Sequence, residues 1–336
     1  MLKLGYKASA EQFGGRELLS FGVLAEQCGF DSVMVSDHLQ PWRHSGGHAP
    51  FAFSWLGALG ASTERAMIGT SVVTPTFRYH PGVVAQAMAT LASMFPGRVM
   101  LGVGTGESMN EVPLGIDWPD IKERFARLKE AVELMRRLWS EEFVTFEGAY
   151  YRTRNATIYE RPPDGVPLYV AASGEAAARL AGRTADGFIC TSGKGRELYV
   201  DTLLPAVVEG ARKAGRDPQA IEKMIEMKVS FDTDRQRALV DTLEWACLAL
   251  PSDAKVGVDD PREMERLAAG LSAEKAASRW IVSTDPDDHV EKVGEYVAMG
   301  FTHLVFHMPG RDQERAIRLY AKEILPRIRR RFDGHS

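Results

Sequence analysis

Short runs of β-branched and apolar residues recur along this chain, and between them apolar positions return at helical spacing. Leu2–Tyr6 reads as a first strand. Arg16–Cys28 follows with Leu18, Leu19, Val23 and Leu24 at helical spacing, and Gly29 stands as its C-terminal stop. Ser32–Val35, Ala66–Val72 and Val99–Val103 read as the next three strands, with a helix rich in Ala, Val and Met over Pro81–Met94. Lys122–Trp139 is the clearest helical pattern, and a small hairpin is expected around Phe143–Tyr151, turning at Glu147-Gly148. Leu168–Ala171, Gly187–Cys190, Met227–Phe231 and Leu304–His307 complete the strands. Helices are expected over Ala176–Thr184, Leu198–Ala214 and Glu314–Leu325, the last ended or kinked by Pro326.

Strands alternating with helices imply parallel strands joined by crossovers. About eight such units in one chain predict an α/β fold, a closed (β/α)8 barrel of TIM type rather than an open sheet. The region from Thr233 to Ser283 reads as a helical insertion before the last unit. One domain over residues 1–336 is expected, with no repeat, linker or low-complexity segment.

Composition narrows the function classes. Of 336 residues, 45% are hydrophobic and 26% charged, enough to bury a large core without disulfides or metals. A net charge of −4 offers no basic excess, so no nucleic-acid partner is expected. The cluster of Arg327, Arg329, Arg330 and Arg331 reads as a solvated helix end. The cysteines, Cys28, Cys190 and Cys247, form no CxxC pair; this fits a reducing cytoplasm and argues against a structural metal. The N-terminus lacks the apolar run of a signal peptide, and no stretch approaches the roughly 18 apolar residues of a membrane helix.

In α/β barrels chemistry gathers on the loops after the strands, and polar residues collect there in this chain. Ser36-Asp37-His38 and Gln40-Pro41-Trp42-Arg43 follow the second strand, Thr74-Pro75-Thr76 the third, and Gly104-Thr105-Gly106-Glu107 with Asn110 the fourth. Ser173-Gly174-Glu175 follows the fifth and Thr191-Ser192-Gly193-Lys194 the sixth. The glycines at 104 and 106 match a dinucleotide fingerprint weakly, because Met109 stands at its sixth position. Ser173-Gly174 reads equally as an ordinary helix start or as backbone N–H groups facing a phosphate. His38 suits acid–base work near neutrality. Glu107 is either a loop solubiliser or a partly buried proton carrier. Trp42, in a loop, is placed to cover a flat ligand or a cationic centre. Lys194, Lys228, Lys255 and Arg279 are scattered in sequence; brought together, they would make a site for a dianionic phosphate.

The segments LKLGYKASAEQF, VSDHLQPWRHSGGHAPF, GTSVVTPTFRYHP, LGVGTGESMNE, GFICTSGKG, DDPREME and HLVFHMPG carry a resemblance over nearly the whole chain. The sequence resembles the F420-dependent glucose-6-phosphate dehydrogenases of the luciferase-like barrel superfamily. The resemblance implies a homodimer that transfers hydride from C1 of a sugar 6-phosphate to C5 of coenzyme F420, a deazaflavin. It implies that Asp37 and His38 bind the deazaflavin, with His38 in proton transfer. Trp42 would line the reacting centre, Glu107 would manage the proton at the ring nitrogen, and Glu11 would be a further acidic site residue. Cofactor contacts carry over to Thr74, Thr105, Gly106, Asn110, Ser173 and Gly174, and a non-proline cis peptide to Ser71–Val72. The family commonly has a second glycine where this chain has Ser173. The phosphate pocket carries over to Thr191, Lys194, Lys255 and Arg279, with Lys228 nearby on its strand. The resemblance weakens around Lys255 before DDP, which keeps open a different phosphosugar, such as fructose or mannose 6-phosphate. An FMN-dependent luciferase-like monooxygenase is the other enzyme reading, and the Lys/Arg set and TSGK speak against it. A cofactor-binding protein without chemistry would need no proton carriers such as Asp37, His38 and Glu107.

Overall fold

The structure, a computed structural model, describes residues 2–333. The strands are β1 (Lys3–Ala8), β2 (Ser32–Val35), β3 (Met67–Thr70), β4 (Val99–Val103), β5 (Val144–Glu147), β6 (Arg152–Ala156), β7 (Leu168–Ala171), β8 (Gly187–Thr191), β9 (Glu222–Phe231), β10 (Ile281–Ser283) and β11 (His303–His307). Strands β1, β2, β3, β4, β7, β8, β9 and β11 pair in parallel, and β11 returns to β1, so the sheet closes into the expected eight-stranded barrel. Helices such as Gly15–Gln27, Pro81–Met94, Ile121–Ser140 and Glu175–Thr184 lie between successive barrel strands, and their apolar faces join the large buried cluster outside the sheet.

The inside of the barrel is layered. Met34, Met100, Tyr169, Ile189, Met224 and Val305 make a separate apolar plug across it, as side-chain layers do in such barrels. Below the plug, at the strands' N-terminal ends, the Glu222 carboxylate accepts from Lys3 Nζ (2.7 Å) and from Tyr169 OH (2.9 Å). His303 Nδ1 stands 2.9 Å from the other oxygen of Glu222, and its Nε2 meets Ser32 Oγ at 2.7 Å. Above the plug lie Lys7, Glu226, Lys228 and His307.

Several expectations are corrected. The chain also folds a helix over Ala52–Ser62, buried through Trp55, Leu56 and Leu59, which the pattern did not predict. Strand β9 begins at Glu222 rather than Met227, and β3 ends at Thr70. The hairpin is β5 with β6, so its second strand runs past Tyr151 to Ala156. The insertion holds the helices Arg235–Val240, Pro261–Ala268 and Ala273–Ala277, but it closes on β10, which pairs with the end of β9. A further helix, Pro286–Ala298, then leads into β11; Asp285 caps it by accepting from the N–H groups of Asp287 and Asp288. The final helix breaks at Ile324 and resumes over Leu325–Phe332 with Pro326 in its first turn, as the proline requires.

Candidate active site

The mouth is formed where the strands end, and His38 stands at its centre. Its Nδ1 lies 3.1 Å from the carbonyl oxygen of Gln40, which accepts, so Nδ1 carries the hydrogen and Nε2 turns to the cup. Nε2 is 3.2 Å from Glu11 Oε1 and 3.6 Å from Glu107 Oε2. The loop bearing His38 is held by Asn110, whose Oδ1 accepts from Leu39 N (2.9 Å) and Gln40 N (3.4 Å). The Trp42 ring is tilted against the imidazole at 6.1 Å. Arg43, the next residue, ties the Trp42 loop to the insertion through Glu244 (3.0 Å) and Glu265 (3.3 Å).

The two carboxylates are driven apart. Burial pushes Glu11 up, but His38, Lys7 and the hydroxyl of Ser36, which donates to Oε1 at 2.7 Å, outweigh it and hold Glu11 below the usual range. Glu107 goes the other way. Burial and the neighbouring charge of Glu11 raise it, against His38, Lys255 and Lys7. Its Oε2 is buried, while the side chain as a whole keeps 44% of its surface open to the cup. Their surroundings thus push the proton affinities of two neighbouring carboxylates in opposite directions.

A second wall is built from the ends of β3 and β4. The Ser71–Val72 peptide is cis. It is held by Ser71 N donating to Val35 O (2.7 Å) and by the Lys7 ammonium donating to Ser71 O. Gly106 has φ +82°, and a Cβ there would lie 2.8 Å from Thr74 Oγ1, so the Thr105-Gly106 tip is closed to larger residues. Asp37 is fully buried, with Oδ2 taking a 2.5 Å ion pair from Arg78 and Oδ1 left without a partner. Gly174 precedes the helix Glu175–Thr184 and supplies no side-chain cap, so that helix presents bare N–H groups beside the exposed Ser173.

The cations meet across from His38. Arg279 lies against the Thr191–Lys194 loop, donating to Ser192 O (3.5 Å) and to Leu248 O (3.3 Å), while its Nε is buried and unpartnered. Lys228 N donates to Ser192 Oγ at 2.8 Å. Burial and the positive charges of Arg279 and Lys255 lower Lys194. Lys255 is lowered by burial and by Arg279, and it also feels Glu107. Each cation thus senses another, and Lys255 connects them to the carboxylates. The cup therefore unites a histidine between two acids, a glycine-tipped wall and a cation cluster. Among the described residues no group of three or more His, Cys, Asp or Glu is placed to hold a metal ion.

Residues 3–303 match the family model described as luciferase-like monooxygenase. A protein of Beutenbergia cavernae named F420-dependent glucose-6-phosphate dehydrogenase is 66% identical over 331 residues, 98% of each chain. One of the same name from Nakamurella multipartita is 65% identical, covering 98% of this chain and 97% of its own. The chain belongs to the F420-dependent glucose-6-phosphate dehydrogenases. A solved structure of an F420-dependent secondary alcohol dehydrogenase, in complex with an F420-acetone adduct, superposes on this family member with a TM-score of 0.92. It is 35% identical and covers 98% of this chain and 99% of its own.

This dehydrogenase family member also uses residues that the sequence did not mark. Arg78 is buried between Asp37 and Glu111, 3.3 Å from the latter, and fixes the base of the His38 loop. Gln12 accepts from Trp245 Nε1 (3.2 Å) and donates to Pro309 O (2.8 Å), joining the loop after β1 to the insertion. Arg78 was visible as a charge just beyond a strand end. Gln12 was not, because its partners lie more than two hundred residues away.

Proposed function

We propose that this chain oxidises glucose 6-phosphate at C1 to 6-phosphogluconolactone, with coenzyme F420 as hydride acceptor. The observation that carries the reading is His38, held between Glu11 and Glu107, in the same mouth as Lys194, Lys228, Lys255 and Arg279.

The cofactor fits the residues present. Asp37 Oδ1 is a buried acceptor without a partner, a Cβ at Gly174 would meet nothing within 4 Å, and the uncapped helix that follows suits an anionic group. Asp37, Ser71, Val72, Thr74, Thr105, Gly106, Asn110, Ser173 and Gly174 would hold it. When bound, F420 supplies a ring that takes up a hydride. Thr191, Lys194, Lys228, Lys255 and Arg279 grip the sugar's phosphate, and the buried Arg279 Nε has a donor to spare.

His38 takes the proton of the C1 hydroxyl at Nε2, and the ionised Glu11, 3.2 Å away, stabilises the imidazolium that forms. Glu107, whose proton affinity burial and Glu11 raise, is the group that would exchange a proton with the ring nitrogen when the cofactor is bound. Trp42 covers the reacting centre and keeps water out. The FMN-dependent alternative is not favoured, since relatives 65% and 66% identical are named for F420. We further read the chain as a cytoplasmic homodimer with no nucleic-acid or membrane partner. Its three free cysteines suit a reducing compartment, and Phe51, Val83 and Met94 lie exposed at or on two adjoining helices. No helix of the described residues is long and apolar enough to cross a membrane.

The test is bleaching of oxidised F420 absorbance with glucose, fructose and mannose 6-phosphates, and with free glucose. Rapid bleaching with glucose 6-phosphate is expected; bleaching by free glucose at the same rate, or by no sugar phosphate, overturns the reading.

A further inference from the structure

Beside Lys228, the layer above the apolar plug holds charges that the reaction as described does not use. In the parallel register Tyr6 pairs with Phe306 and His307 with Lys228, so Lys7, His307 and Lys228 stand on neighbouring strands at one level. Glu226 lies two residues below Lys228 on β9. Lys7, Lys228 and His307 are each under 5% exposed. Lys7 Nζ is 3.3 Å from Glu226 Oε2; Lys228 Nζ and His307 Nδ1 are 3.8 and 3.7 Å from Glu226 Oε1. His307 is wedged between Trp245 (4.5 Å) and Trp280 (5.2 Å), with both ring nitrogens lacking hydrogen-bond partners. Burial depresses it, so it stays neutral. Two ammonium groups and one carboxylate therefore give this dry layer a net positive charge directly beneath the cup.

We propose that Glu226 and Lys7 are positioning residues, a buried carboxylate–ammonium pair that keeps Lys228 charged for the substrate's phosphate and sets the proton affinity of Glu107. The proposal rests on the sugar-phosphate reading above. Glu226 is the carboxylate paired with Lys228, which also faces Arg279, Lys7, Lys194, the Cys190 thiol and neutral His307. Burial first, then those cations, bring Lys228 down to about 8, and Glu226 opposes them. Without Glu226 the ammonium loses its proton at lower pH. Lys7 acts on the other half of the cup. From β1 it faces Glu11, as His38 does, and Glu107, as His38 and Lys255 do. Its own contacts are Ser71 O and Glu226.

Two variants of the cofactor-free enzyme separate this from simple packing. Glu226→Gln should bind inorganic phosphate about 10-fold more weakly than wild type near pH 8 and recover near pH 6, as calorimetry reads it. The carboxyl 13C titration midpoint of Glu107 should rise by about half a pH unit in Lys7→Met and fall in Glu226→Gln, because one variant removes a positive charge and the other a negative one. In the double variant the two effects offset and the midpoint returns toward wild type, which keeps the test open if Glu226→Gln alone folds poorly. Midpoints that move the same way in both single variants, or not at all, overturn the proposal. So does wild-type pH dependence of phosphate binding in Glu226→Gln. None of these readings requires turnover, so a failure of the dehydrogenase reading would show separately, in the bleaching assay.

Discussion

His38 meets three acceptors through two nitrogens, and this decides what its removal does. The Gln40 carbonyl orients the ring, while Glu11 and Glu107 face the nitrogen that works. His38→Ala should lower kcat by about 100-fold or more and leave F420 affinity within about 3-fold, because on the proposed reading most of the groups that would hold the cofactor are other residues. Absorbance kinetics and a fluorescence titration measure the two; equal losses would reject the catalytic role. Arg78 answers a different question. The Asp37 and Glu111 side chains are fully buried on either side of it. Arg78→Met strands both charges and should cost about 3–5 kcal/mol of stability in urea unfolding; a cost below about 1 kcal/mol would mean that water reaches them. That His38, Trp42 and Glu107 would gather in one place was legible in the sequence, because loops that follow barrel strands share one mouth. Lys7 and Glu226 were not, since a charge within a strand gives no sign of whether it faces the barrel axis.

Element boundaries failed where charge interrupts an apolar run. Glu222, Lys223 and Glu226 broke the pattern of β9 and delayed its expected start to Met227, although the strand begins at Glu222. The helix Ala52–Ser62 failed for the opposite reason, as it is apolar nearly all round and shows little amphipathic period. The start of β9 carries its own consequence for stability. Burial opposes ionisation of Glu222, yet His303 and Lys3 outweigh it and hold Glu222 at about 2. A carboxylate depressed in the folded state adds stability above its unfolded pKa of about 4.3 and loses it as pH falls through about 2. Glu222→Gln should therefore be less stable than wild type by roughly 3 kcal/mol at neutral pH, with the gap closing toward pH ~2. Urea midpoints across that range decide it, and a gap that stayed constant would place the effect in packing instead.

At the scale of the molecule, the chain is net negative while its cup is lined with cations. Such a local field draws a dianion in against the overall charge, and salt screens it. For glucose 6-phosphate, kcat/KM should fall several-fold between about 0.01 and 0.3 M ionic strength, whereas free glucose, with no phosphate, should show almost no dependence. An equal salt effect on both sugars would remove the steering role. The barrel itself was legible from its alternation of strands and helices; the convergence of Lys194, Lys228, Lys255 and Arg279 was not, because it depends on the insertion returning to pair β10 with β9, which sets residue 279 against residue 193.

The methionine-rich layer across the barrel gives the vessel one door. Met34, Met100, Met224, Ile189 and Val305 offer a proton no foothold between the Tyr169–Glu222 cluster at the floor and the charged layer under the cup. Hydrogen ions must come and go by the route that sugar and lactone use. A proton taken up by His38 stands 3.6 Å from Glu107, so on the proposed reading the two can hand it across inside the cup before product leaves it.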